Sequence, residues 1–262
     1  MLKQRYRNIL LLSILLCIGH FSWAEPSPRF EEGQFKQLDY RILYPADFDP
    51  AKQYPLVLVL HGAGERGDDN KAQLVHGSQL FLQPQVREKF PAIVIFPQAP
   101  KSDYWANVDV DRSGPRPKFS FKDGGKPTTS MALVMELMDN FSSQSYVDNS
   151  RIYVGGLSMG GMGTFEILSR KPDIFAAAFA ICGGGDPAIV SRYRNGLPIW
   201  IFHGEKDDIV SPRYSRQMAD AISKQGGKVK LTLYPEANHN SWDSAFAEPQ
   251  LLPWLFAQRL TR

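Results

Sequence analysis

The chain has 262 residues, 43% of them hydrophobic and 22% charged, with a formal net charge of +3. That composition suits one α/β domain with a sizeable core and excludes a disordered or collagen-like chain. Three of the basic residues, Lys3, Arg5 and Arg7, fall in the first 24 positions. Without that segment 27 charges of each sign remain, so nothing suggests a nucleic-acid or anionic-membrane partner.

The segment itself reads as an export signal. Its basic start is followed by the apolar run Ile9 to Phe21, then Ser22-Trp23-Ala24, a small-x-small cleavage site before Glu25. The run is short and badly flanked for a transmembrane helix, although an uncleaved anchor is the alternative. Leu16 before Cys17 is too large for lipoprotein processing. The expectation is a signal peptide over 1–24, a single domain over 25–262, a periplasmic or secreted location, and no stable membrane insertion after cleavage. Cys17 leaves with the signal, and the remaining Cys182 has no intrachain partner.

Along the mature chain strands and helices alternate, which predicts a mostly parallel sheet with helices on both faces. Phe35 to Tyr44 reads as a strand or hairpin arm. Leu56 to Leu60, within the strand Pro55 to Leu60, is a fully buried pattern opening into His61-Gly62-Ala63-Gly64-Glu65-Arg66-Gly67. A polar helical region follows over about Asp69 to Lys89, then a strand over Ala92 to Phe96. Gln98 to Thr128 reads as a long loop carrying Tyr104, Trp105, Phe119 and Phe121, and structureless loops of that length tend to be functional. Trp105 is its candidate substrate contact, with anchoring of the loop as the alternative reading. Met131, Val134, Leu137, Met138 and Phe141 form the buried stripe of a helix.

Next comes a short strand, Arg151 to Val154, and then Gly156-Leu157-Ser158-Met159-Gly160 at the start of a helical pattern that ends before Lys171-Pro172. This is the G-x-S-x-G nucleophile elbow: a strained strand-to-helix turn that lifts a serine hydroxyl clear of the backbone, over a helix N-terminus that favours negative charge. Strands over Phe175 to Cys182, Ile199 to Phe202 and Val229 to Tyr234 follow, with a helix over Pro212 to Lys224 and a last helix near the C-terminus. The connection from Gly183 to Gly196 is too short for a large cap, which predicts an open site.

A nucleophilic serine needs a base, and the base needs an orienting carboxylate. With this elbow the chain order is Ser, acid, His. The acid candidates are Asp207 and Asp208, adjacent in the loop after Phe202, with Asp186 as a third. Among the five histidines only His239 follows both the acid and a strand. His61 and His203 precede glycines at strand ends and read as turn-building or buried hydrogen-bonding residues; His76 carries no motif. The expected oxyanion donors are the backbone N–H groups of Met159 and Ala63, with Gly64 as the alternative to Ala63. Trp242, three residues after His239, is expected to line the pocket or brace the histidine loop. No C-x-x-C, H-E-x-x-H or other metal spacing is present, so neither a metal nor a cofactor is indicated.

The stretches LHGAGERGDDN, RIYVGGLSMGGMGTFEI, FHGEKDDIVSP and YPEANHNSW, in that order, resemble the α/β-hydrolase group of phospholipase/carboxylesterase-like and poly(hydroxybutyrate)-depolymerase-like esterases, some of which are labelled predicted peptidases. The resemblance runs from about Pro55 to Leu255. It implies a single α/β-hydrolase domain without a large cap, a Ser158–Asp207–His239 triad, and hydrolysis of a small-molecule or polymer-linked ester. It departs from the group at Asp208-Ile209-Val210-Ser211-Pro212, where relatives often place a proline directly after the acid.

Overall fold

The computed structural model describes residues 29–260; the export-signal reading over 1–24 lies outside the described residues. Strands β1 (Glu31–Phe35) and β2 (Leu38–Leu43) form an antiparallel hairpin. They are followed by β3 (Tyr54–Leu60), the short helices α1 (Ser78–Leu82) and α2 (Pro84–Lys89), and β4 (Ile93–Pro97). A two-stranded ribbon, β5 (Val108–Asp111) and β6 (Lys118–Phe121), stands apart from the main sheet. The remainder runs α3 (Thr129–Ser142), β7 (Val147–Leu157), α4 (Met159–Arg170), β8 (Ala177–Ile181), β9 (Pro198–Gly204), α5 (Pro212–Lys224), β10 (Lys228–Tyr234), α6 (Trp242–Phe246) and α7 (Leu251–Phe256).

Eight strands form one sheet in the order β1-β2-β4-β3-β7-β8-β9-β10, parallel from β4 to β10. Strands β3, β4, β8 and β9 are buried at every position, as parallel strands covered on both faces must be. Alternation sorts their side chains into two cores. Leu56, Leu58, Leu60, Val154 and Ile201 pack with Phe165 of α4 and Met218 of α5, while Val57, Val59, Phe179, Trp200 and Phe202 pack with Leu251 and Leu255 of α7. No helix among the described residues is long and apolar enough to cross a membrane.

The order places β3 and β7 side by side, with Leu60 opposite Gly156, although β4 lies between them in the chain. From β3 the chain passes to β4 on one side and returns to β7 on the other. The crevice at this switch point, outside the strand C-termini, is where open α/β sheets bind ligands. The loop after β3 and the turn after β7 therefore meet there by topology alone.

Three elements differ from expectation. The region 69–89 is a 3₁₀ turn and two short helices, because Gly77 takes a left-handed φ of 80° and Pro84 starts a new helix. The C-terminal helix is split into α6 and α7 around Pro249, whose ring disfavours helical backbone at Glu248. The 98–128 segment is not structureless but folds the β5–β6 ribbon, which packs Phe119, Val108 and Val110 against Met162 of α4 and Val210. Between β8 and β9 there is only a 3₁₀ turn, Pro187–Arg192, so no cap is inserted there.

Candidate active site

The turn after β7 is as tight as its sequence predicts. Ser158 sits at φ 53°, ψ −116°, a conformation that costs a non-glycine residue on the order of 1–3 kcal/mol. Its N–H donates to the Ile181 carbonyl at 2.8 Å, and its carbonyl accepts from Met162 N at 3.0 Å. The flanking glycines are steric necessities. A Cβ on Gly160 would lie 1.9 Å from the Leu60 carbonyl oxygen, and one on Gly156 would lie 2.6 Å from Gly160 backbone.

The hydroxyl so presented lies 3.0 Å from His239 Nε2. His239 Nδ1 in turn lies 2.7 Å from Asp207 Oδ2. Because Asp207 accepts, Nδ1 carries the proton, and Nε2 is left free to accept from Ser158. Asp207 is buried, whereas Asp208 is exposed and offers only its backbone N–H, to Asn238 Oδ1. The choice between the two acids falls on Asp207. Burial by itself would raise the Asp207 pKa, but hydrogen bonds from His203 and His239 and from the Val210 amide outweigh it and hold the carboxyl well below its ordinary range.

Histidine and acid loops are laced together. Glu205 N donates to the Tyr234 carbonyl and Lys206 N to that of Ala237, at 2.9 and 3.0 Å. Asn238 Oδ1 accepts from both Asp208 N and His239 N. The approach is so close that a Cβ on Gly204 would lie 2.3 Å from the Asn238 carbonyl oxygen. Trp242 packs edge-on against the His239 ring, centroids 5.3 Å apart at 84°, and its other neighbour is His76 at 4.9 Å. Its half-buried ring thus touches the histidine it follows in the chain.

The loop after β3 supplies the other wall. His61 is buried; its Nε2 accepts from Ala99 N at 3.0 Å and its Nδ1 lies 2.6 Å from the Gly62 carbonyl. Nδ1 is thus the protonated nitrogen, and burial lowers the pKa to about 4, so the ring stays neutral. Because the peptide is trans and planar, tying the Gly62 carbonyl to His61 turns the Ala63 N–H the opposite way. A Cβ built on Gly62 would lie 3.6 Å from Ser158 Cβ, which places this peptide beside the nucleophile. Among the described residues neither Ala63 N–H nor Met159 N–H has a protein acceptor. The Gly64 N–H, the alternative to Ala63, is likewise without an acceptor among the described residues.

Trp105 is a correction. Rather than facing a substrate, it is fully buried, with Nε1 donating to the His61 carbonyl at 3.1 Å and its ring against His61. The indole anchors the long loop beneath the β3 turn. Asn238 escaped the sequence reading; His203, expected as a turn-building or buried hydrogen-bonding residue, is buried and its ring contacts Asp207 four residues later in the chain. Cys182, Asp207 and His239 bring ligand-type atoms within 4.8 Å of one another. Burial raises the Cys182 pKa strongly, and the other two groups are bonded to each other; this is a triad with a neutral thiol beside it.

The sequence profile of the Dienelactone hydrolase family matches residues 122–250. The crystal structure of a thermostable esterase superposes with a TM-score of 0.78 at 34% identity, covering 88% of this chain and 63% of that one. The chain is 25% identical over 210 residues to acyl-protein thioesterase 1 of Neurospora crassa, covering 73% of this chain and 82% of the relative. It is 33% identical over 78 residues to the bifunctional acetylxylan esterase/xylanase of Neocallimastix patriciarum, 30% of this chain but only 12% of the relative. The chain thus spans less than two thirds of that bifunctional enzyme and of the thermostable esterase. The sheet order, the elbow and these similarities together identify the α/β-hydrolase fold, with a Ser158–His239–Asp207 line of the kind serine hydrolases carry.

Proposed function

We propose that the protein is an exported serine esterase that hydrolyses short-chain or polymer-linked carboxylic esters through an acyl-enzyme. The observation that carries the reading is the unbroken hydrogen-bonded line from Ser158 Oγ through His239 to Asp207. Ser158 attacks the ester carbonyl while His239 Nε2 takes its proton. The developing oxyanion accepts from the Met159 and Ala63 amides at the α4 N-terminus and the β3 turn. Collapse transfers the proton from His239 to the departing alcohol. Water then repeats the sequence on the acyl-enzyme, releasing the acid and freeing Ser158.

The uncapped β8–β9 connection supports a site open enough for bulky or polymer-linked alcohols. Relatives named for acetylxylan and acyl-protein substrates support an ester of a large carrier. Export rests on the basic and apolar N-terminal segment, with small-x-small residues before Glu25. A chain recovered outside the cytoplasm that begins at Glu25 would bear it out, and one found only in the cytoplasm with Met1 retained would refute it.

The test of activity is a panel of acetyl, feruloyl and longer acyl esters with matched amides. Ester turnover should dominate. Ser158→Ala and His239→Ala should each lower kcat by about 10⁵- to 10⁶-fold, and the double variant by little more. Preferred amide cleavage, or a single variant keeping a tenth of the activity, would overturn the reading.

A further inference from the structure

His203 is a second histidine on the proposed acid. It is fully buried on β9, with Nε2 2.8 Å from the Val210 carbonyl and 3.1 Å from Asp207 Oδ2. Both partners are acceptors, so Nε2 carries a proton and shares it between them. Nδ1 lies 2.7 Å from Ser215 Oγ, a hydroxyl that also reaches the Gly183 carbonyl at 3.2 Å. The ring is therefore fixed at both nitrogens, by α5 on one side and the acid loop on the other. Asp207 receives donors on both oxygens. Oδ1 takes the Ile209 and Val210 amides at 2.9 Å, and Oδ2 takes both histidines.

We propose that His203 is a positioning residue for the ester reaction, one that shares Asp207 Oδ2 with His239 and aims that oxygen at it. The inference rests on the reading of Asp207 as the triad acid. A carboxylate oxygen that already accepts one N–H stabilises a neighbouring imidazolium less than an oxygen left to it alone. The ionisable groups around the carboxylate are His203, His239 and Cys182, whose thiol burial keeps neutral. Glu65 lies on the nucleophile side, its Oε2 buried 2.8 Å from where a Gly62 Cβ would be and its Oε1 3.7 Å from His76 Nε2, while the His76 ring packs on Trp242.

Two substitutions separate this role from simple core packing. A glutamine amide nitrogen reaches the place of Nε2 and can still donate to Asp207; an asparagine amide reaches only the place of Nδ1, toward Ser215. His203→Asn should lower kcat by about 10- to 100-fold and move the acid limb of the kcat/KM profile up by about half a unit or more. His203→Gln should recover most of the turnover and the wild-type limb. Equal turnover in the two variants with an unmoved limb would overturn the proposal.

Histidine-labelled wild-type protein tests it without any substitution, should His203→Asn fail to fold. The His203 Nε2–H resonance should shift as His239 titrates, and a resonance that stays put would refute the coupling. Asp207→Asn is the control for the underlying reading. If it keeps full turnover, the triad assignment itself fails; if it is inactive while the His203 variants behave alike, only the present inference does.

Discussion

His61 does its work by staying uncharged. Its imidazole is buried between the Gly62 carbonyl and the Ala99 amide, and burial lowers its pKa to about 4 from the ordinary 6.5. The unfolded chain therefore binds a proton near pH 6.5 that the folded chain refuses until about pH 4. Unfolding is favoured as pH falls through that window, so stability rises with pH across it. From pH 7 to pH 5 the loss from this residue should be about 2 kcal/mol. Denaturant unfolding at the two pH values, compared with His61→Gln, checks it; an unchanged pH slope in the variant would contradict the assignment. Asp207 adds to the same trend lower down, since its depressed folded pKa contributes stability that is lost as pH falls below the ordinary carboxylate range. At this scale the sequence was legible where chemistry dictates spacing: Ser158 between its glycines, and His239 after an acid and a strand. It was not legible where only orientation decides. Asp207 and Asp208 are chemically identical neighbours, and only the turn that gives the Ile209 and Val210 amides to one of them separates the pair. Trp105 would look the same in sequence whether it pointed inward or outward.

Glycines at the element junctions make the site possible and supply a sharp steric test. Gly160 carries α4 against the end of β3, and a methyl group there would meet the Leu60 carbonyl at 1.9 Å. Gly64, on the exposed side of the β3 turn, has nothing within 4 Å of where its Cβ would be and no positive φ. Gly160→Ala should cost more than about 4 kcal/mol and yield little folded protein. Gly64→Ala should leave both melting temperature and turnover near wild type. A well-folded, active Gly160→Ala enzyme would show that the elbow packs less tightly than described. The central strands were legible as unbroken apolar runs. The β5–β6 ribbon was not, although Val-Asp-Val-Asp and Lys-Phe-Ser-Phe do alternate. Four-residue strands framed by Pro, Gly and charge carry too little apolar area to stand out, and their pairing depends on Met162 and Val210 far along the chain.

Across the whole molecule, the sheet order is what converts separated motifs into one site. β3 delivers the Ala63 amide, β7 delivers Ser158, β9 delivers both His203 and Asp207, and β10 leads to His239, all at the same sheet edge. The alternation of strands and helices foretold a parallel sheet, and the chain order of nucleophile, acid and base foretold this edge. What pattern alone could not convey is how the acid and histidine loops are bound to each other, because those bonds run through backbone atoms and Asn238. The chemistry of the site depends on whether the assembled line of Ser158, His239 and Asp207 activates the serine. Labelling the purified protein with a fluorophosphonate beside Ser158→Ala, read by intact mass, tests this most directly. A single adduct is expected on the wild type and none on the variant; a folded wild type that takes no label, or a variant that takes as much, would contradict an activated Ser158.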